Sequence, residues 1–591
     1  MTTGDQTYLT PIYSRQLLPI GYQLIGPAII IEKTSTTVVE PGWQAEITAR
    51  YDIVLTRHQP TPSQLAIINT AVDPIRLEIF NNLFMSIAEQ MGVTLANTAY
   101  SVNIKERLDF SCAIFDNTGQ LVANAPHIPI HLGSMSDSVQ TVIQVQANTM
   151  QPGDVFVLNN PYHGGTHLPD ITVITPIFLP PDATPANSAL FYVASRGHHA
   201  DIGGITPGSM PPQSRTLLEE GVVIDVFKLV DQGQLRETEI RQHLANHPYP
   251  ARNIEQNLAD LRAQIAANAK GVQELQRMVQ HFSFEVVQAY MQHVQDHAEK
   301  AVRQLLTKLS DGKFYYELDN GAVIQVKITV DKPQQQAIID FSGTSPQSAT
   351  NFNAPIAVCK AAVLYVFRTL VNEDIPLNAG CLKPLQLIIP SGCLLNPIYP
   401  AAVVAGNVET SQYITDALYG ALGVMAASQG TMNNLTFGNE KYQYYETICG
   451  GSGAGPHFSG TAAVHTHMTN SRLTDPEILE WRFPVLLESF GIRHHSGGAG
   501  RYDGGDGVIR RIQFREAMTA SILSSHRRVP PYGMVGGQPG QVGRNWLERA
   551  NGKHELLAGT TTVAMQVGDS LVIETPGGGG YGAASVLSNL F

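Results

Sequence analysis

The chain has 591 residues, 43% of them hydrophobic and 15% charged, with a formal net charge of −12. That length and apolar content support substantial cores in more than one domain, and an acidic balance with no Lys/Arg cluster interleaved with aromatics excludes a nucleic-acid partner. Five cysteines without C-x-x-C spacing fit reduced thiols and a cytoplasmic setting, while the lack of a basic-then-apolar leader or of an apolar run near the roughly 20 residues of a membrane span predicts neither secretion nor membrane insertion.

In chain order, "LIGPAIIIEKTSTTVVEPGWQAEITARYDIVL" carries β-branched clusters broken at Pro27, Pro41 and Gly42, the pattern of a small β unit within residues 1–57. A linker, "TRHQPTPSQ", leads to a helix with apolar positions Ile79, Leu83, Phe84, Ile87 and Met91. From 102 to 204 short strands alternate with loops: "SCAIFDNTGQLVA", "DVFVLNN", "DITVITPIF", "ALFYVAS". Gly, Asn, Asp or Pro bounds each of them, so polar side chains at strand ends can converge on one pocket. Residues 254 to 308 read as helix, with Ile254, Leu258, Leu261, Ile265, Ala269 and Val272 as core contacts. "AVIQVKITV" alternates as a half-buried strand and "KAAVLYVFRTLV" returns to helix. The last 150 residues or so are rich in glycine, with "GVIRRIQF" and "DSLVIE" between the glycine runs, which predicts ordered loops on a β scaffold. The expected class is α+β, mixed and multi-domain: β-rich, with long helices and a glycine-rich β part within 314–591.

Potential metal ligands gather in two loops. In "HGGTHLPD", His167 and Asp170 stand three apart with Pro169 between them, which breaks any helix and lets both side chains point at one centre. "GHHAD" adds His198 and His199, and Asp109 in "KERLDFSCAIFD" offers a second carboxylate. Such His/carboxylate sets suit zinc, manganese or iron with a coordination position left open. Other polar residues have plainer readings beside the functional one. His127 and His131 line the pocket or are hydrogen-bonded core histidines. Asn407, Glu409 and Ser411 in "GNVETSQ" contact substrate or cap the following helix. His465 and His467 alternate as they would on one face of a strand. "SSHRRVPPYG" groups His526, Arg527 and Arg528, which suits a carboxylate, a phosphate or a partner surface. Cys449 lacks a base to activate it. There is no G-x-x-x-x-G-K-[ST], and the glycines of "DIGGIT" shape the histidine pocket rather than a phosphate loop.

The stretches "ERLDFSCAIFD", "NNPYHGGTHLPDITVITPIF", "SRGHHADIGG", "FSGTSPQSATNFNAP", "GNVETSQYITDALYGAL", "HTHMTNSRLTDPEILE" and "TPGGGGYG" resemble the hydantoinase B family from about residue 61 to 591. Residues 1–57, with "GPAII", "STTVV" and "PGW", resemble the tail of a hydantoinase A half. The resemblance implies the metal-dependent hydrolase half of an ATP-dependent 5-oxoprolinase, opening 5-oxo-L-proline to L-glutamate. ATP would enter only through a hydantoinase A-like partner, and a homo-oligomer is expected. It implies Asp109, His167, Asp170 and His198 as metal ligands, with His199 as acid/base candidate and Asp201 orienting an imidazole. The insertion "PPDATPANS" between Asp170 and the histidine pair leaves His198 versus His199 open as the ligand. Alternatives are an ATP-dependent hydantoinase, a carboxylase-like α subunit and a catalytically silent scaffold.

Overall fold

The computed structural model describes residues 1–3, 6–58, 70–146, 149–178 and 189–584. The chain divides into two compact units, Met1–Ala71 and Val72–Phe591.

The first unit holds two three-stranded sheets. In one, Ala28–Ile31 pairs with Ile12–Ser14 and Thr36–Val39; in the other, Trp43–Ile47 pairs with Gln23–Ile25 and Ile53–Arg57. Leu18, Leu24, Ala28, Ile30, Val39, Ala45 and Ile47 form its core. The turn at Gly26 tolerates no side chain, because an added Cβ would run into the Glu40 carbonyl. Positions 59–64 of the expected linker, and the "PPDATPANS" insertion, lie outside the described residues.

The second unit is built on a seven-stranded antiparallel sheet. Its order is Leu121–Asn124, Phe110–Phe115, Phe191–His198, Asp170–Ile177, Val155–Leu158, Phe227–Asp231, Gln234–Leu235. Helices cover both faces, which is why its central strands read as unbroken apolar runs. Helix Pro129–Gln146 sets Leu132, Met135, Val139 and Val142 against Ala113, Phe115, Ile174 and Ala194. On the other face helix Ile254–Phe282 packs Leu258 and Leu261 against Ile171 and Val173.

Two helix expectations are corrected. In Pro74–Thr98 the buried stripe runs through Phe80, Phe84, Ile87, Met91 and Leu95, whereas Ile79 is exposed; one residue of phase moves it 100° around the helix. The 254–308 segment is two helices, Ile254–Phe282 and Phe284–Leu306, broken at Ser283, whose φ is 75°. The buried stripe of the first also carries amides: Gln264 Nε2 donates to the carbonyls of Ile171 and Ser195, and Asn268 Nδ2 to that of Val173. Ala269, expected in the core, is exposed.

Beyond these helices, Gly312–Glu317, Val323–Asp331, Gln336–Asp340 and Leu385–Ile388 form a four-stranded sheet. It shares a core with helices Ile356–Thr369 and Ser411–Leu422. A four-stranded and a five-stranded sheet then pack around Leu435, Phe437, Ile512, Phe514 and Leu571. The α+β reading with an ordered glycine-rich β end is what the chain adopts. The glycine run 577–580 is buried, and a Cβ at Gly579 would collide with the Tyr532 carbonyl. Gly579→Ala is therefore expected to cost about 1–3 kcal/mol through overpacking, read as a lowered unfolding midpoint. Among the described residues no helix is long and apolar enough to cross a membrane.

Candidate metal centre

Register brings the site together. Antiparallel pairing of Asp170–Ile177 with Phe191–His198 sets Asp170 opposite His198. On the other flank Gly197 pairs with Phe110, and the His198 N–H donates to the Asp109 carbonyl at 3.0 Å. Asp109, His198 and Asp170 thus stand in a row across three neighbouring strands. His167 joins them through a tight turn in which the Asp170 N–H donates to the His167 carbonyl. Asn159 Nδ2 pins that turn at the Leu168 carbonyl. Upstream, Gly164 has φ 89°, a left-handed conformation suited to glycine.

His167 Nε2 lies 2.9 Å and His198 Nδ1 3.0 Å from Asp170 Oδ1. One ligand atom from each of the three residues falls within 4.8 Å of the others, and all three residues are buried. The short His167 contact is not aligned as a hydrogen bond: both nitrogens of His167, and Nε2 of His198, have no hydrogen-bond partner. Three unsatisfied imidazole nitrogens beside a buried carboxylate are costly on their own. One nitrogen from each imidazole and the Asp170 carboxylate make an N/O donor set suited to a divalent cation.

The electrostatics fit that use. Burial alone would raise the Asp170 carboxyl, but the imidazoles of His167 and His131 hold it well below the usual carboxylate range. Burial lowers His198, which favours the neutral imidazole that metals bind. Asp170 Oδ2 accepts from Thr166 Oγ1 at 2.8 Å and Asn407 Nδ2 at 3.3 Å, with His131 Nε2 also at 3.3 Å. The fully buried Arg196, which sequence reasoning missed, donates to Thr172, Ser134 and Ser138. It adds a positive charge that interacts with Asp170.

His167, Asp170 and His198 line a narrow hollow together with Asp109, His131, Asn407, Met432, Tyr445 and Met468. Asp109 lies on its wall outside the three-residue cluster, paired with the Arg107 guanidinium at 3.7 Å. The other expected site residues fall elsewhere. His199 turns to the helix side, as alternation along a strand dictates; its Nε2 meets Gln264 Oε1 and its Nδ1 meets Asn257 Nδ2, each at 3.1 Å. Of the two neighbouring imidazoles, only His198 stands in the cluster. Asp201 accepts from the N–H groups of Gly203, Gly208 and Arg252 and pairs with the Arg252 guanidinium at 2.8 Å, so its carboxylate braces a loop instead of orienting an imidazole. Glu409 is buried behind the hollow and accepts from Met432 N and Asn434 Nδ2. The Ser411 hydroxyl donates to the Asn407 carbonyl within its own helix.

His127 accepts from Cys112 N, and of that pair only His131 lines the hollow. His465 and His467 lie outside any strand, in a correction of the alternation argument: His467 has φ 57° and pairs with Asp416 at 3.0 Å. His526 is buried and Arg527 half-buried, the latter donating to Ser525, Asn433 and Asn545, whereas Arg528 pairs with Glu317. All five cysteines are buried and unpaired, and burial pushes the Cys449 thiol up to about 11.

Residues 73–584 match the description "Hydantoinase B/oxoprolinase", and the chain belongs to that family. It is 47% identical over 601 residues to 5-oxoprolinase 1 of Arabidopsis thaliana, covering 97% of this chain and 47% of that protein. It is 46% identical to 5-oxoprolinase of Dictyostelium discoideum, covering 97% and 45% respectively. The chain therefore spans about half the length of these curated relatives. Among solved structures, the ATP-dependent caprolactamase from Pseudomonas jessenii superposes with a TM-score of 0.76 at 25% identity, covering 87% of this chain and 92% of that one.

Proposed function

We propose that this chain is the metal-dependent hydrolase half of a 5-oxoprolinase-type enzyme, opening the lactam of 5-oxo-L-proline to L-glutamate beside an ATP-handling hydantoinase A-like half. The observation that carries the reading is the buried His167–Asp170–His198 cluster with its unpartnered imidazole nitrogens; relatives named 5-oxoprolinase supply the substrate. A five-membered lactam is resonance-stabilised and little strained, so its hydrolysis gains from coupling to ATP. Activation of the amide oxygen is assigned to the other half, since relatives named 5-oxoprolinase are about twice as long as this chain. The first unit is assigned as the tail of that half.

His167, Asp170 and His198 would hold zinc, manganese or iron, which supplies Lewis acidity toward a carbonyl and toward water. Asp109, paired with Arg107 on the wall and outside that three-residue cluster, would supply a fourth donor only by turning toward it. Asn407 holds Asp170 with its amide, and its unpartnered Oδ1 accepts from the lactam N–H. Met432 and Met468, both in the wall, have flexible thioether side chains that yield to admit the ring. His199 and Asp201 keep the strand end seated against the long helix.

The test is ATP-dependent glutamate release from 5-oxoproline by this chain with and without a supplied hydantoinase A-like half. Release is expected only with both halves and a divalent ion. No release under those conditions overturns the substrate assignment. The caprolactamase likeness favours one second reading, another cyclic amide; opening of a hydantoin or of caprolactam, with no action on 5-oxoproline, would establish it.

A further inference from the structure

The imidazole of His198 is not held by Asp170 alone. The ring of Tyr445 stacks on it at 4.2 Å between centroids and 17° between planes, and the Arg107 guanidinium sits 4.9 Å from that same tyrosine ring. The Tyr445 hydroxyl donates to Asn434 Oδ1 at 3.0 Å, and Asn434 Nδ2 donates to Glu409 Oε1 at 2.8 Å. Glu409 belongs to a single π-turn, Gly406–Thr410, a distortion that in helices recurs at functional sites. The same turn carries Asn407, whose amide reaches Asp170 Oδ2. One irregular turn thus sends two arms to the ligand cluster, a direct one to Asp170 and an indirect one toward His198.

We propose that Glu409 is a positioning residue for the metal centre, acting through Asn434 and Tyr445 to fix the plane of the His198 imidazole. With Nδ1 tied to Asp170, the single contact still leaves the ring plane free to tilt about the line from Nδ1 to the Asp170 oxygen, a rotation that a stacked surface opposes. A flat aromatic surface at stacking distance limits this rotation only while the surface itself stays put. The phenol hydrogen bond holds it, and the amide of Asn434 is held in turn by Glu409 and by the Leu523 carbonyl. Glu409 Oε1 also accepts from Met432 N, while its Oε2 has no hydrogen-bond partner, so one acceptor oxygen carries the role. Burial raises this carboxyl to about 8, which agrees with a group that works in its neutral form. A glutamine at 409 keeps that acceptor; a leucine removes it.

The inference rests on the metal reading above, and two readouts keep the two apart. The first is the affinity of the purified chain for Mn2+ or Co2+, measured by calorimetry. Glu409→Leu and Tyr445→Phe are each expected to weaken it by about 10–100-fold, the usual effect of disturbing groups that orient a ligand. Glu409→Gln is expected to stay within about twofold of the parent, and the Glu409→Leu/Tyr445→Phe pair to be no weaker than the worse single variant, since both cut one chain. The second readout is the imidazole 15N signals of His198 in the ion-free chain, expected to shift or broaden in Glu409→Leu and Tyr445→Phe but not in Glu409→Gln. Should the leucine variant not fold, Tyr445→Phe carries both measurements. Unchanged His198 signals in the variants, additive losses in the double variant, or a glutamine variant as weak as the leucine would overturn the proposal. A parent chain that binds no ion, yet shows the 15N pattern, would sink the metal reading and leave the positioning arm standing.

Discussion

Asp170→Asn is expected to strip the chain of its ion while leaving it folded. The carboxylate stands within hydrogen-bonding distance of the imidazoles of His167 and His198 and is the only anion in the three-residue cluster. An amide in its place offers one neutral oxygen and turns N–H donors toward nitrogens that must act as acceptors. Loss of a supporting group at a metal site already costs 10–100-fold in affinity, so loss of the ligand is expected to exceed about a hundredfold, with glutamate release falling at least as far. The fold is expected to persist, because pairing of residue 170 with His198 is a main-chain matter and an asparagine oxygen still accepts from Thr166 Oγ1. Elemental analysis after dialysis, beside far-UV circular dichroism, reads both effects. His199→Gln is the matched control: that ring is engaged by Asn257 and Gln264, so the variant should keep its ion. An asparagine variant that retains one ion per chain would remove Asp170 from the ligand set.

The contrast between those two variants shows how far the sequence could be read. "HLPD" and "GHH" announced ligand-grade residues at strand ends, and the alternation of side chains along a strand put one histidine of the pair in the buried cluster and the other outside it. Which one depended on the registers that place Asp170 opposite His198 and Gly197 opposite Phe110, set by pairing across 28 residues and carrying no local mark. Asp109 was legible as a carboxylate at a strand mouth; its pairing with Arg107, two residues away, was not, because the ion pair depends on the buried path of the guanidinium. Tyr445 lay beyond reach altogether, for nothing in "YQYYETICGG" foretells a ring stacked on an imidazole some 250 positions earlier. Glu409 was half legible: a polar run entering an otherwise apolar helix is unusual, but substrate contact and helix capping were the readings open to it, and the π-turn that buries it behind the hollow is a tertiary event. The helix break at Ser283 escaped for a simpler reason: the apolar spacing continues through it, and no glycine or proline marks the spot.

Arg107→Met is expected to be among the most destabilising single substitutions in the second unit. The guanidinium is fully buried and donates to the carbonyls of Tyr445 and Arg472 and to the hydroxyls of Thr447 and Ser471. It also stands 3.7 Å from Asp109. A methionine fills much of the volume but removes those donors, although Thr447 and Ser471 still bond each other, and leaves Asp109 as a buried carboxylate with no counter-charge, a situation that costs about 3–5 kcal/mol. The source of the loss can be separated from its size. Asp109→Asn alone leaves the arginine charge without its carboxylate, whereas the double variant Arg107→Met/Asp109→Asn has no stranded charge on either side. If the ion pair accounts for much of the penalty, the double variant should be more stable than the sum of the singles predicts, by a coupling of about 0.5–3 kcal/mol. Denaturant unfolding of the parent, the two singles and the double closes the cycle, with the transition of the larger unit resolved from that of the smaller where two are seen. Strict additivity would place the stabilising effect of Arg107 in its four hydrogen bonds to neutral acceptors, and Asp109 would then hold its place on the wall of the hollow without help from the arginine charge.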